Sequence, residues 1–245
     1  MIITDEQLDM ADATVADIAL SFPQALEILN RYNLDYCCGG KKLFTKVCEK
    51  AGLNPESVWE EILLARIHVG PDNYMRFDTW EAPLLIDFIV QHHHHYVRDA
   101  IPQILALLDK VCNAHGNDSP FLLTVKENFN KLAVELLNHL PKEEEVLFPA
   151  IRKIFHNGTS QLESNISKSH LKSPIVIMED EHEIAGQLIK SIRALTSNYT
   201  PPTFACPTFK LIYIMLSQFD KDLMQHVHLE NNILFPKVLG VYNHY

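Results

Sequence analysis

Positive charge, glycine and long apolar runs are what this sequence lacks. Lys and Arg total 21 against 31 Asp and Glu, a net charge of −10. That balance argues against nucleic acid or an anionic membrane as the main partner, because both demand a positive surface. No apolar run approaches the ~20 residues that a membrane-spanning helix needs. The start, Met1-Ile-Ile-Thr-Asp-Glu, lacks the basic segment and apolar stretch of a signal peptide. Glycine supplies 8 of 245 residues, and few runs of β-branched residues occur, which counts against sheet. The cysteines at 37, 38, 48, 112 and 206 are odd in number and do not form a disulfide framework. Without an export signal, free thiols imply a reducing, cytoplasmic setting.

What the sequence has in plenty is histidine: 13 residues, about twice the usual share for this length. The length fits one large domain, or a main domain with a smaller one. The fold class expected is all-α, with a small N-terminal helical domain at 1–66, a linker at 67–79 and a four-helix bundle at 80–245. In the first domain Thr14 is placed to cap a helix over Val15–Leu20. A second helix is expected over Pro23–Tyr32, and others over Leu43–Ala51 and Glu56–Arg66, with a turn at Gly39-Gly40. The bundle helices are expected at about 80–112, 119–155, 173–197 and 207–239, where apolar residues recur in steps of three and four. The segments 113–119, 157–169 and 197–207 read as polar loops.

One phrase occurs twice. His139-Leu-Pro-Lys-Glu143-Glu-Glu-Val-Leu-Phe148-Pro149 and His226-Val-His-Leu-Glu230-Asn-Asn-Ile-Leu-Phe235-Pro236 both read H-x3-E-x2-[VI]-L-F-P. A spacing of four puts imidazole and carboxylate on one helix face, one turn apart. His94 and His182 interrupt the apolar stripes of the other two helices. The separations His94 to His139 and His182 to His226 are 45 and 44 residues, so the bundle reads as two hairpins of one design. Any one of these residues alone is more often a packed histidine or a surface pair. Six at matched levels of a core are different, because buried polar groups need partners. Four His and two Glu suit a pair of metal ions, with carboxylates able to bridge. Thiolate-free imidazole and carboxylate ligation fits iron best, then manganese or zinc.

Within the run His92-His93-His94-His95, residues 100° apart cannot all face the core. Only His94 shares the line of Val90, Val97 and Ile101. Pro141 falls inside the first H-x3-E phrase and is expected to kink that helix, since it cannot donate to the Leu137 carbonyl.

The segments Asp35-Tyr-Cys37-Cys38-Gly39-Gly40, Met178-Glu-Asp-Glu-His182-Glu-Ile-Ala-Gly186 and Leu229-Glu230-Asn-Asn-Ile-Leu-Phe-Pro236 give the chain a family likeness. It resembles the iron–sulfur cluster repair di-iron proteins, whose main domain is hemerythrin-like, over essentially its whole length. The resemblance implies two iron ions in an oxo- or hydroxo-bridged centre. Their ligands would be His94, His139, Glu143, His182, His226 and Glu230, the six that spacing also selects. It implies a stress-response protein that restores clusters damaged by nitric oxide or peroxide, by donating iron to damaged iron–sulfur proteins. A di-iron oxidoreductase that binds or reduces nitric oxide or oxygen is the alternative. A homodimer is left open.

Cys37 and Cys38 carry two readings. Adjacent cysteines bond to each other only with strain, so they are either thiols packed at a Gly-Gly turn or a redox or iron-relay pair. Cys48, Cys112 and Cys206 read as packing residues. Glu135, one turn before His139, and Glu181, next to His182, are candidates to hydrogen-bond the ligands or line an iron path. Solvated positions suit them equally.

Overall fold

The computed structural model describes residues 8–69, 75–156 and 161–240. Among them there is no strand, only one isolated bridge between Thr14 and Leu43. The chain divides into two compact units: residues 1–85 with 227–245, and residues 86–226.

In the first unit, helix α1 spans Val15–Ser21, α2 Ala25–Arg31, α3 Phe44–Lys50 and α4 Pro55–Val69. Thr14 caps α1 as expected. Its hydroxyl accepts from the Asp17 N–H, and the Asp17 carboxylate accepts from the Thr14 N–H, a reciprocal box that satisfies two otherwise orphaned donors. Phe22 and Phe44 both pack on the Trp59 ring, with centroids 5.9 and 6.0 Å away. The expected linker is partly helical: α4 runs on to Val69, and Phe77–Thr79 form a 3₁₀ turn. Residues 70–74 of it lie outside the described residues. Gly40 admits no side chain, because a Cβ there would stand 2.5 Å from the Tyr36 carbonyl oxygen and 2.9 Å from the Ala16 Cβ.

The first long helical run passes from the first unit into the second between residues 85 and 86 and comprises α5, Ala82–Phe88, a π-helical turn Ile89–His94, and α6, His95–His115. The second comprises α7, Phe121–Lys142, a π turn Glu143–Leu147, and α8, Phe148–His156. Helix α9 spans Gln161–Leu195, so it starts inside the segment expected as a loop. The last run is α10, Pro207–His228, then a π turn Leu229–Leu234 and α11, Phe235–Leu239. It crosses from the second unit into the first between residues 226 and 227.

Helix α7 packs on α6 and α9. Phe219 of α10 packs on Phe129 of α7, with ring centroids 5.2 Å apart, and on Tyr96 of α6. Arg193 of α9 reaches the Asp220 carboxylate of α10 with nitrogens at 2.6–2.8 Å. The result is a helical bundle whose centre is apolar, with Leu132, Ile189, Ile192 and Leu216 buried. No helix among the described residues is long and apolar enough to cross a membrane.

Each π turn adds a residue to one helical turn and rotates the helix beyond it. This corrects the apolar stripe read from a constant 3.6 period. Val146, which a constant period would put on the face of His139 and Glu143, is 66% exposed, while Leu147 and Phe148 are buried. In the first run Ile89 is buried in place of half-buried Val90, and His93 joins His94 inside. Pro141 is the second-last residue of α7, yet His139 and Glu143 on either side of it are both buried. Widening at this level does not depend on the proline, because the second phrase has none and forms a π turn at the same place.

Candidate metal centre

Five of the six expected ligands meet in the second unit. His94 stands in the first π turn, His139 near the end of α7, Glu143 at the head of the second π turn, His182 in mid-α9 and His226 near the end of α10. All five are at most 3% exposed. The four histidines form two close pairs, each joining one histidine of the first hairpin to one of the second. His94 Nε2 lies 3.1 Å from His226 Nε2, and His139 Nε2 lies 3.1 Å from His182 Nε2. Glu143 stands between the pairs, its Oε2 3.3 Å from His139 Nε2 and 3.4 Å from His94 Nε2. Glu230 is fully buried, one helical turn after His226 in the same run.

The backs of two rings explain the front. His94 Nδ1 lies 2.7 Å from Glu144 Oε1, and Arg98 holds the same oxygen at 2.8 Å. His139 Nδ1 lies 2.7 Å from Glu181 Oε2, and Lys142 holds the other Glu181 oxygen. An ionised carboxylate only accepts, so each Nδ1 carries the proton and each Nε2 presents a lone pair. Burial by itself would raise both carboxyls. The hydrogen bonds from Arg98 and His94 outweigh it at Glu144, and those from Lys142 and His139 outweigh it at Glu181, so both titrate below the usual carboxylate range. Both therefore stay ionised and keep their ring locked.

The centre is thus a set of converging acceptors, and a cation is the natural complement of such a set. Donors bound about 2.1 Å from one ion, at angles between octahedral and tetrahedral, stand roughly 3.0–3.4 Å apart. The observed separations of 3.1, 3.3 and 3.4 Å fit that range. Nitrogen and oxygen donors without a thiolate suit iron among the first-row metals.

Sequence reasoning missed Glu144 and its cation Arg98. A signal was present: Arg98 follows His94 by four residues, a cation on the ligand face that needs a carboxylate. Glu181, a candidate from the sequence, lies against the His139 ring. Glu135 is exposed. Among the described residues no hydrogen bond ties it to the cluster.

In the first unit the segment with Cys37 and Cys38 rests on the C-terminal run. Asn232 Nδ2 donates to the Tyr36 carbonyl at 2.9 Å and to His228 Nδ1 at 2.9 Å. The Tyr36 ring stands edge-on to His228, 5.4 Å between centroids. Burial lowers His228 to about 4, so that ring is neutral. The Cys37 and Cys38 sulfurs are 3.6 Å apart, with no disulfide between them. Burial first, then Cys38 and Asp35, push the Cys37 thiol well up, away from the thiolate that redox exchange uses. Burial also raises Cys48, to about 11, and Cys112.

Comparison with known proteins agrees with this geometry. Residues 85–238 match the model of the hemerythrin HHE cation binding domain. Residues 11–66 match ScdA_N, a domain of unknown function. A probable iron-sulfur cluster repair protein of Haemophilus influenzae is 34% identical, over 95% of this chain and 99% of its own length. The iron-sulfur cluster repair protein YtfE of Edwardsiella ictaluri is 36% identical, over 94% of this chain and 97% of its own length. YtfE of Yersinia pseudotuberculosis is 31% identical over 95% and 99%. With likeness at this level along nearly the whole length of both partners, and with a buried His and Glu cluster inside the matched cation binding domain, the chain belongs to the family of hemerythrin-domain iron–sulfur cluster repair proteins.

Proposed function

We propose that this protein holds two iron ions and uses them to rebuild iron–sulfur clusters damaged by nitrosative or oxidative stress, by donating iron. One ion would take His94 and His226, the other His139 and His182. Glu143 would serve both, and Glu230, its counterpart in the repeated phrase, would be the sixth ligand. Residues 80–245 would form the iron-bearing domain, with 1–66 a separate helical domain joined by 67–79. Iron here is cargo as well as a redox-active cation.

The observation that carries this reading is the position of Glu143 Oε2, 3.3 and 3.4 Å from the leading histidine of each pair. One carboxylate placed against two imidazole pairs serves two ions. The chain's own part is to keep Nε2 of His94 and His139 deprotonated through Glu144 and Glu181. The donor set contains no soft sulfur, and its ions are correspondingly exchangeable.

The test is repair in a defined mixture. Iron-loaded protein is added to an enzyme whose cluster has been destroyed by nitric oxide, and recovered activity is compared with the iron lost from the donor. Stoichiometric transfer is expected, and its loss in His139→Ala. Repair unaffected by that substitution would sink the proposal. Repeated consumption of nitric oxide with an electron donor, and no iron lost, would favour the oxidoreductase instead.

A further inference from the structure

His93 lies beside a second set of donors that neither the repeated phrase nor the metal pair uses. Its Nδ1 lies 2.9 Å from Asp222 Oδ1. Donor atoms of His92, His93 and Asp222 all lie within 4.8 Å of one another. The three residues grade from outside to inside: His92 is exposed, Asp222 half-buried and His93 fully buried. The π turn Ile89–His94 makes this possible, because its extra residue lets His93 and His94 both point inward while His92 stays at the surface.

Two features separate this group from an ordinary buried His–Asp hydrogen bond. Among the described residues, no hydrogen-bond partner meets His93 Nε2 or Asp222 Oδ2, although both atoms are buried. A buried polar atom left this way is unfavourable, and a cation bound beside His93 Nδ1 would engage the second Asp222 oxygen, with His93 Nε2 turned to the other side of the ring. The 2.9 Å between His93 and Asp222 is also close to the roughly 3 Å edge between neighbouring donors on one ion. The surroundings hold the three in place. The His92 ring stacks on Phe88, 5.1 Å between centroids and 19° between planes. The His93 ring lies parallel to His226, at 5.6 Å and 4°.

We propose that His92, His93 and Asp222 form an additional site for a divalent first-row metal ion, and that ferrous iron pauses there between solvent and the buried cluster. Two imidazoles and one carboxylate with open positions suit Fe(II). The partial exposure makes the site weaker than the buried one. Its position, one residue from His94 and ring to ring with His226, puts it at the edge of the cluster. The transit role rests on the iron-donation reading; the site itself does not.

Titration of the metal-free full chain with Co²⁺ under anaerobic conditions tests it, with the visible spectrum and bound metal per chain as readouts. The intact protein is expected to take a third, weaker equivalent. His92→Ala and Asp222→Asn lose that equivalent and keep the first two, which also shows that both variants fold. His95→Ala, exposed next door, keeps all three. A third equivalent that is absent, or that survives both site substitutions, or that disappears with His95→Ala, overturns the site. An equivalent sensitive to His92→Ala in a protein whose buried cluster takes no metal would support the site and fault the proposed function instead. In the iron-loaded protein, release to a ferrous chelator slows in His92→Ala, and an unchanged rate removes the transit role.

Discussion

His94 and Glu144 form a fixed pair: imidazole Nδ1 and carboxylate Oε1 are 2.7 Å apart, with Arg98 closing on the same oxygen. His139 and Glu181 repeat the arrangement at 2.7 Å, with Lys142 as the cation. Each of the two histidine pairs therefore has one ring with its own carboxylate behind it. Losing that carboxylate leaves the ring free to turn and to place its proton on Nε2. Substituting Glu144→Ala or Glu181→Ala should weaken iron binding by about 10–100-fold, read by competition with a calibrated chelator. The two substitutions should act on different ions, so the double variant weakens both.

Glu143 should behave differently. It touches both histidine pairs, so Glu143→Ala is expected to lower the iron content from two per chain toward none. A loss confined to one ion would show that Glu143 serves one ion only. Metal analysis with Mössbauer spectroscopy separates the outcomes.

Cys37 should be slow to react. It is 4% exposed, and burial keeps its thiol protonated. Alkylation at pH 8 should modify half-buried Cys38 first and reach Cys37 only on unfolding. Cys37→Ser should leave the iron content unchanged. Rapid labelling of Cys37 would revive the redox-pair reading.

Tyr199 sets an alkaline limit. Burial and the charge of Asp220, whose Oδ2 accepts the Tyr199 O–H at 2.8 Å, raise this phenol. The group's native value lies above its unfolded value near 10. Its contribution to stability is therefore complete below about pH 10 and is lost as pH rises toward the native value. In that range the wild type should lose stability more steeply than Tyr199→Phe. The difference is at most about 1.4 kcal/mol per pH unit, less with solvent screening. Urea midpoints of the metal-free proteins between pH 9 and 11 measure it.

Much of this was legible in one dimension because a helix converts spacing into direction. A four-residue interval fixes a shared face whatever the rest of the chain does. The doubled H-x3-E phrase with His94 and His182 thus selected the residues that converge, and Thr14 announced its own capping box. The all-helical class and the family likeness were equally open to reading. The π turns at 89–94, 143–147 and 229–234 were not. They break the constant period on which such reading depends, and they turned Val146 outward and His93 inward.

The sequence by itself determined which side chains share a face, since backbone geometry alone decides that. The tertiary structure decided which faces meet. Only the packing of separate helices brought Glu144 behind His94, Asp222 beside His93, and Glu143 within reach of two histidine pairs. Those are contacts between residues 50, 129 and 49 positions apart, and no local period records separations of that kind.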